Sequence, residues 1–256
     1  FFPSPFRDAA ILTIDGVGEW VTATIGHGKE SELSILRELK FPNSIGLFYK
    51  EFAQYIGFSG NSGENRMMAL AATGQPSYYD RLRSEVICIL DDGSVEISED
   101  YLRVTSSGQV ATRKLVKLLG RGPRDPNSPV RNFDRDLAAS VQRLVEDAVL
   151  AMARCAWSLT GSKNLCLAGG VALNCVANGR LRREGDFREL WVQPASGDAG
   201  GALGAALATS HLYLNQPRAL FEVDAMRGAT LGPAYTSAEI LEYLDRFELP
   251  HTMLDS

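Results

Sequence analysis

The sequence predicts an α/β protein in which a mixed sheet is flanked by helices, and three observations carry that expectation. Hairpin signals come early in the chain, a long amphipathic helix follows, and strand–turn–helix units close the patterned region. The last of these is the most informative. Residues 165–206, LCLAGGVALNCVANGRLRREGDFRELWVQPASGDAGGALGAA, read as two apolar strands, each entering a glycine-containing turn and then a helix. Such turns leave backbone N–H groups and a helix N-terminus facing outward at a strand end, which favours an anionic ligand such as a phosphate or an adenylate.

Taken in order, residues 9–14 (AAILTI) and 20–25 (WVTATI) are β-branched, apolar runs on either side of Asp15-Gly16-Val17-Gly18-Glu19, a hairpin. Residues 31–39 (SELSILREL), 45–55 and 67–72 read as helices, with the glycine-rich stretch 57–63 between the last two. Residues 86–90 and 95–97 around Asp91-Asp92-Gly93-Ser94 form a second hairpin. The proline-, arginine- and glycine-rich stretch 119–133 reads as a surface loop. From there Leu137, Val141, Leu144, Val145, Ala148, Met152, Ala156 and Leu159 keep the spacing of one buried helical face until Gly161; Asp134 or Asp136 is the expected cap. Strands at 165–168 and 189–193 alternate with helices at 171–183 and 200–214, and 237–246 is a short helix opened by Ser237. No repeat of 20–50 residues is visible.

Composition bounds the function classes. A chain of 256 residues builds one principal core. Its formal charge of −5 argues against a strongly electrostatic grip on nucleic acid or an anionic membrane. No apolar run reaches the roughly 18 residues of a membrane span, and no basic-then-apolar leader opens the sequence. Cys88, Cys155, Cys166 and Cys175 form no C-x-x-C pair and read as small hydrophobes inside strands or helices, which suits a reducing, cytoplasmic setting. The apolar run at residue 9 lies so close to Phe1 that a piece of a longer protein is expected.

Four constellations could carry chemistry. In Ala168-Gly169-Gly170-Val171-Ala172-Leu173-Asn174 the glycines let a flat ligand approach the backbone, or simply pack a strand–helix crossover, and Asn174 can present its amide from the following helix. In Ser196-Gly197-Asp198-Ala199-Gly200-Gly201, Asp198 stands between a strand and a helix, where a carboxylate holds a cation or caps the helix. In the Asp15–Glu19 turn, Gly16 and Gly18 can admit phosphate oxygens to backbone N–H groups, with Asp15 orienting water or a metal; an ordinary hairpin has the same composition. In Asn61-Ser62-Gly63-Glu64-Asn65, Glu64 and Asn65 face a cleft or cap a helix. His27, His211 and His251 have no i, i+4 partner, so there is no zincin motif. G-x-G-x-x-G, P-loop and G-x-S-x-G signatures are also missing.

At FFPSPFRDAAILTIDGVGEW, SGENRMMALAATG, NFDRDLAASVQ, LCLAGGVALNCVANGRL and VQPASGDAGGALGAAL, in that order, the chain resembles the nodulation and antibiotic O-carbamoyltransferases, the NodU/CmcH family. The resemblance implies an actin-like ATPase (ribonuclease H-like) lobe. It also implies transfer of a carbamoyl group from carbamoyl adenylate, made from ATP and carbamoyl phosphate, to a hydroxyl of a sugar or antibiotic-like acceptor. Residue by residue, Gly169, Gly170 and Asn174 match the adenosine-contacting turn, Asp15, Gly16 and Gly18 the phosphate-side hairpin, and Asp198 a carboxylate of an iron-type divalent metal site. Residues 1–215 then correspond to the second lobe of the transferase domain, and 216–256 to a linker leading towards a YrdC-like, adenylate-forming domain. The first lobe, with an H-x-x-x-H helix supplying two metal ligands, would precede Phe1, so this chain is expected to be inactive alone. A non-catalytic nucleotide-binding lobe and a relative of the tRNA threonylcarbamoyl-transfer enzyme are the alternatives. The DGVGEW hairpin stands against the latter.

Overall fold

The computed structural model describes residues 1–60, 62–105, 108–220 and 224–253. In chain order the elements are β1 (Asp8–Ile14), β2 (Val21–Lys29), β3 (Glu32–Lys40), α1 (Ile45–Tyr55), α2 (Gly63–Ala71), α3 (Tyr79–Glu85), β4 (Ile87–Ile89), β5 (Val95–Ile97), β6 (Leu102–Thr105), β7 (Gly108–Ala111), α4 (Arg113–Leu119), α5 (Asn132–Thr160), β8 (Asn164–Ala168), α6 (Cys175–Glu184), β9 (Glu189–Val192), α7 (Gly201–Ala208) and α8 (Ser237–Arg246). The main sheet has the order β3-β2-β1-β8-β9. Its first two pairings are antiparallel and its last two, β1 with β8 and β8 with β9, are parallel. The expected mixed α/β architecture is therefore present.

Alternation along β1 builds two cores. Ala10, Leu12 and Ile14 turn into the main cluster, which α5 fills with Leu137, Val141, Leu144, Val145 and Ala148. Ala9 and Ile11 turn to the other face and meet Cys166, Trp191 and Met226. A central strand buried on both faces positions the turns at its end, because each fully buried Leu or Ile contributes about 1.5–3 kcal/mol. α5 closes with Gly161 in the left-handed region (φ 62°), as its sequence predicts.

Several expectations need correction. Residues 31–39 form a strand, β3: Leu, Glu and Arg are good helix formers, but the open edge of β2 supplies a ladder, from Val21 opposite Lys40 to Lys29 opposite Glu32. The 171–183 helix is broken. A 3₁₀ turn, Gly170–Leu173, ends at Asn174 (φ −74°, ψ 87°), and α6 starts only at Cys175. The 200–214 helix is α7 followed by a π-helical turn, Thr209–Tyr213. α5 is entered through Arg131, whose N–H donates to Asp134 Oδ2 at 2.8 Å, so Asp134 sits inside the first turn rather than at the cap. Asp136 instead accepts the Gln75 N–H at 2.9 Å. α8 is capped by Thr236, not Ser237. In the loop before α5, Arg124 is buried, and its guanidinium donates to the carbonyls of Ile56, Gly57, Asp125, Pro126 and Ser128. Of the four thiols only Cys166 is buried; Cys88 and Cys175 are exposed, Cys155 is partly so, and all four are free. Among the described residues no helix is long and apolar enough to cross a membrane.

Candidate functional site

The parallel strands β1, β8 and β9 point the same way, so the three segments that follow them lie along one edge of the sheet. In open α/β sheets this carboxyl edge is where ligands bind. Thr13 is level with Ala168, and Leu167 with Val192. The hairpin turn, the double-glycine turn and the loop leading to Asp198 are therefore neighbours.

Contacts between these segments are direct. The Gly169 N–H donates to the Ser196 carbonyl at 2.7 Å. Gly169 has φ 89° and ψ 162°, a conformation that only glycine adopts readily, and a Cβ there would lie 2.2 Å from the Ile14 carbonyl oxygen. A Cβ on Gly170 would stand 3.0 Å from Asp15 Oδ1, so this carboxylate faces the double-glycine turn. Asp15 Oδ1 also accepts the Gly16 N–H at 2.8 Å, and the turn is closed by the Asp15 N–H on the Thr22 carbonyl (2.8 Å) and the Gly18 N–H on the Val21 carbonyl (2.9 Å).

The start of α1 supports the turn from below. Ser44 caps α1 by accepting the Leu47 N–H at 3.0 Å, and its hydroxyl reaches the carbonyls of Asp15 (3.2 Å) and Gly16 (2.5 Å). Gly46 lets the helix seat so closely that a Cβ would fall 2.6 Å from the Asp15 carbonyl oxygen. The helix-cap pattern at Ser44 was the available signal. Its distant partner was not.

Asp198 is exposed, and it opens the 3₁₀ turn Asp198–Gly200 without capping it: Gly197 occupies the cap position and no side-chain cap bond forms. No described hydrogen bond uses its carboxylate. Two residues earlier, Ser196 is 6% exposed, and its buried Oγ has no hydrogen-bond partner among the described residues.

Asn174 is placed differently from expectation. It is the N-cap of α6, 7% exposed, with Oδ1 accepting the Ala177 N–H at 3.0 Å and its amide paired to Gln142. Glu64 lies in the first turn of α2, where a carboxylate complements the helix dipole; Ser62 holds the cap position and Asn65 is exposed. Asn61 lies outside the described residues. Met68 of α2 reaches Cys175 at the start of α6, sulfur to sulfur 4.0 Å. Burial, followed by the carboxylates of Glu146 and Glu64, pushes the Tyr49 phenol well above its ordinary range.

No histidine joins this strand edge. His27 pairs with Asp8 at 3.2 Å at the opposite end of β1, His211 contacts the Gln216 carbonyl, and His251 lies beside Asp245. Among the described residues no three His, Cys, Asp or Glu side chains converge to hold a metal ion. Asp198 contributes a single carboxylate, and the donor set present here does not by itself fit a metal centre.

Comparison with known proteins gives concordant matches. An uncharacterized protein of Synechocystis is 46% identical over 95% of this chain and 40% of its own length. Nodulation protein NolNO of Sinorhizobium fredii is 36% identical over 82% of this chain and 29% of its own. Nodulation protein NolO of Bradyrhizobium diazoefficiens is 34% identical over 82% and 36%. The chain thus spans between 29% and 40% of the length of these relatives. Among solved structures, HypF of T. kodakarensis aligns with a TM-score of 0.39 and 14% identity, covering 82% of this chain and 34% of that one, too distant to bear on the fold. The family described as carbamoyltransferase N-terminus matches residues 1–207, which takes in all three segments along this strand edge. The chain belongs to this carbamoyltransferase family, alongside the NodU-type nodulation proteins.

Proposed function

We propose that the crevice formed by Asp15–Gly18, Gly169–Gly170 and the Ser196–Asp198 loop is the nucleotide side of an O-carbamoyltransferase site, in an actin-like lobe. One observation carries the reading most directly: the Gly169 N–H bonded to the Ser196 carbonyl brings the glycine turn and the Asp198 loop together at one strand edge. In this reading ATP and carbamoyl phosphate provide carbamoyl adenylate with release of pyrophosphate and phosphate, and the adenylate lies across Gly169 and Gly170, where no Cβ stands between ligand and backbone. An acceptor hydroxyl, on a sugar or antibiotic-like small molecule, attacks the carbamoyl carbon. The new C–O bond forms as the bond to the adenylate oxygen breaks; the hydroxyl proton is lost and AMP leaves. The N–H groups of Gly16, Gly18 and Gly169 are bonded within the fold, to Asp15 Oδ1 and to the Val21 and Ser196 carbonyls, so in this reading the Gly170 N–H, which enters no described hydrogen bond, is the glycine dipole offered to the negative charge on the phosphate side. Asn174 holds the start of α6 beneath the turn.

An iron-type divalent metal at Asp198 stays part of the proposal only as one carboxylate of a larger ligand set, and no step is derived through it. Such an ion would act as a Lewis acid on carbamoyl or phosphate oxygens. The test is mass-spectrometric detection of a carbamoylated product when the intact protein receives carbamoyl phosphate, ATP and a panel of polyhydroxy acceptors. Formation of AMP together with product supports the reading. Full recovery of ATP and acceptor with every member of the panel overturns it.

A further inference from the structure

Behind the crevice a buried hydrogen-bond chain runs from α1 through α5 to Asn174. The Tyr49 hydroxyl donates to Gln142 Oε1 at 2.8 Å, linking side chains 93 positions apart in sequence. Gln142 Nε2 donates to Asn174 Oδ1 at 3.0 Å and to Glu146 Oε1 at 3.2 Å, while Asn174 Nδ2 returns a bond to Gln142 Oε1 at 3.0 Å. All three polar residues are buried, with exposures of 6%, 4% and 7% for Tyr49, Gln142 and Asn174. An amide pair this deep in a core costs stability unless each donor finds an acceptor.

The orientation of the chain is fixed from one end. The Glu146 carboxylate offers only acceptors, so the Gln142 NH₂ group must face it, 3.2 Å from Oε1. The same NH₂ group then reaches the Asn174 oxygen, and the Gln142 oxygen is turned to the Tyr49 hydroxyl, which donates to it. Turning the Gln142 amide over would set its oxygen against the Glu146 carboxylate, which is itself held by Arg180 at 3.4 Å. With its amide so oriented, Asn174 directs Oδ1 at the Ala177 N–H and breaks the helix there. That break decides where the 3₁₀ turn carrying Gly170 ends.

We infer that Tyr49 and Gln142 are positioning residues for the ligand-facing turn, acting through Asn174. The inference rests on the nucleotide reading of the crevice. Neither side chain needs to touch the ligand; each sets the backbone that does.

The test titrates the intact protein with ATP by calorimetry, comparing wild type with Tyr49→Phe, Gln142→Leu and the double variant, and follows amide hydrogen exchange over residues 169–177. Tyr49→Phe keeps the ring and the packing, so it guards against a Gln142 variant that fails to fold. The expected result is an ATP affinity lowered about three- to tenfold in Tyr49→Phe, the equivalent of one net hydrogen bond. Exchange should accelerate at 169–177, and the double variant should bind no more weakly than Gln142→Leu alone. Unchanged affinity in Tyr49→Phe, or additive losses in the double variant, overturns the positioning role while leaving the nucleotide site intact. Absence of ATP binding by the wild type overturns the nucleotide reading, and this inference with it.

Discussion

The Gly169 N–H reaches the Ser196 carbonyl at 2.7 Å, joining the turn after β8 to the loop after β9. That bond makes two crossovers, separate in sequence, into one rim. Gly169 is held there by φ 89° and by the Ile14 carbonyl, which a Cβ would approach to 2.2 Å. Gly169→Ala should therefore lower stability by about 3 kcal/mol, from a strained backbone and a contact that backbone cannot relieve. Gly197 supplies the control: it lies in extended backbone and nothing stands within 4 Å of its added Cβ. Gly197→Ala should stay within about 0.5 kcal/mol of wild type or gain slightly. Urea unfolding of both variants checks the pair, and equal midpoints would contradict the geometry.

Gly170 tests the ligand rather than the fold. Its φ is not in the left-handed region, and the nearest neighbour of an added Cβ is Asp15 Oδ1 at 3.0 Å, one oxygen of an intermediate-exposure side chain. Gly170→Val should preserve the folded state with a loss of about 1 kcal/mol. It should lower ATP affinity by about tenfold or more, because the isopropyl group stands where a nucleotide would lie and crowds the Asp15 carboxylate. Calorimetry giving equal affinities for both proteins would remove the nucleotide from this turn.

Much of this rim was legible in the sequence, for a physical reason. Glycine turns after apolar strands are local: Gly169, Gly170 and Gly16 announce themselves within a few residues. What joins the turns is not local. Ser44 and Gly46 support the Asp15 turn from the start of α1, and Gln142 reaches Asn174 from the middle of a helix, pairings that no local period reveals. The sequence predicts Asn174 inside a helix, one turn from its start. Its side chain instead competes for the Ala177 N–H and breaks the helix. Residues 31–39 predict a helix because Leu33, Leu36, Arg37 and Glu38 favour one intrinsically, whereas the exposed edge of β2 decides their conformation.

Glu51 gives a pH-dependent prediction. The side chain is buried on α1, and Oε1 accepts the Ala111 N–H at 2.8 Å. Burial raises its carboxyl above the ordinary range, and the Ala111 hydrogen bond offsets this only in part. A carboxyl with a raised folded-state pKa stabilises the fold fully below its unfolded pKa, and this contribution is lost as pH rises through the folded value. Glu51→Gln keeps an acceptor for Ala111 and removes the titration. The variant should match or trail wild type near pH 4 and become relatively more stable as pH rises to 7. Thermal melts across that range check the sign, and a difference that does not change with pH would show that Glu51 ionises as it does in the unfolded chain.

Asp198 separates chemistry from stability. Its carboxylate is exposed, caps nothing and enters no described hydrogen bond, so the folded state gains little from it. Asp198→Ala should leave the unfolding midpoint within the range of about 0.5 kcal/mol typical of surface substitutions. Asp198 nevertheless sits two residues beyond the Ser196 carbonyl that anchors Gly169, at the mouth of the proposed crevice. If its carboxylate serves the transfer, Asp198→Ala in the intact protein should abolish carbamoylated product, and Asp198→Asn, which keeps the shape but loses the charge, should do the same. Retained product formation in Asp198→Asn would assign the residue a steric part and move the charge requirement to Asp15, the other carboxylate on this rim, whose Oδ1 faces Gly170.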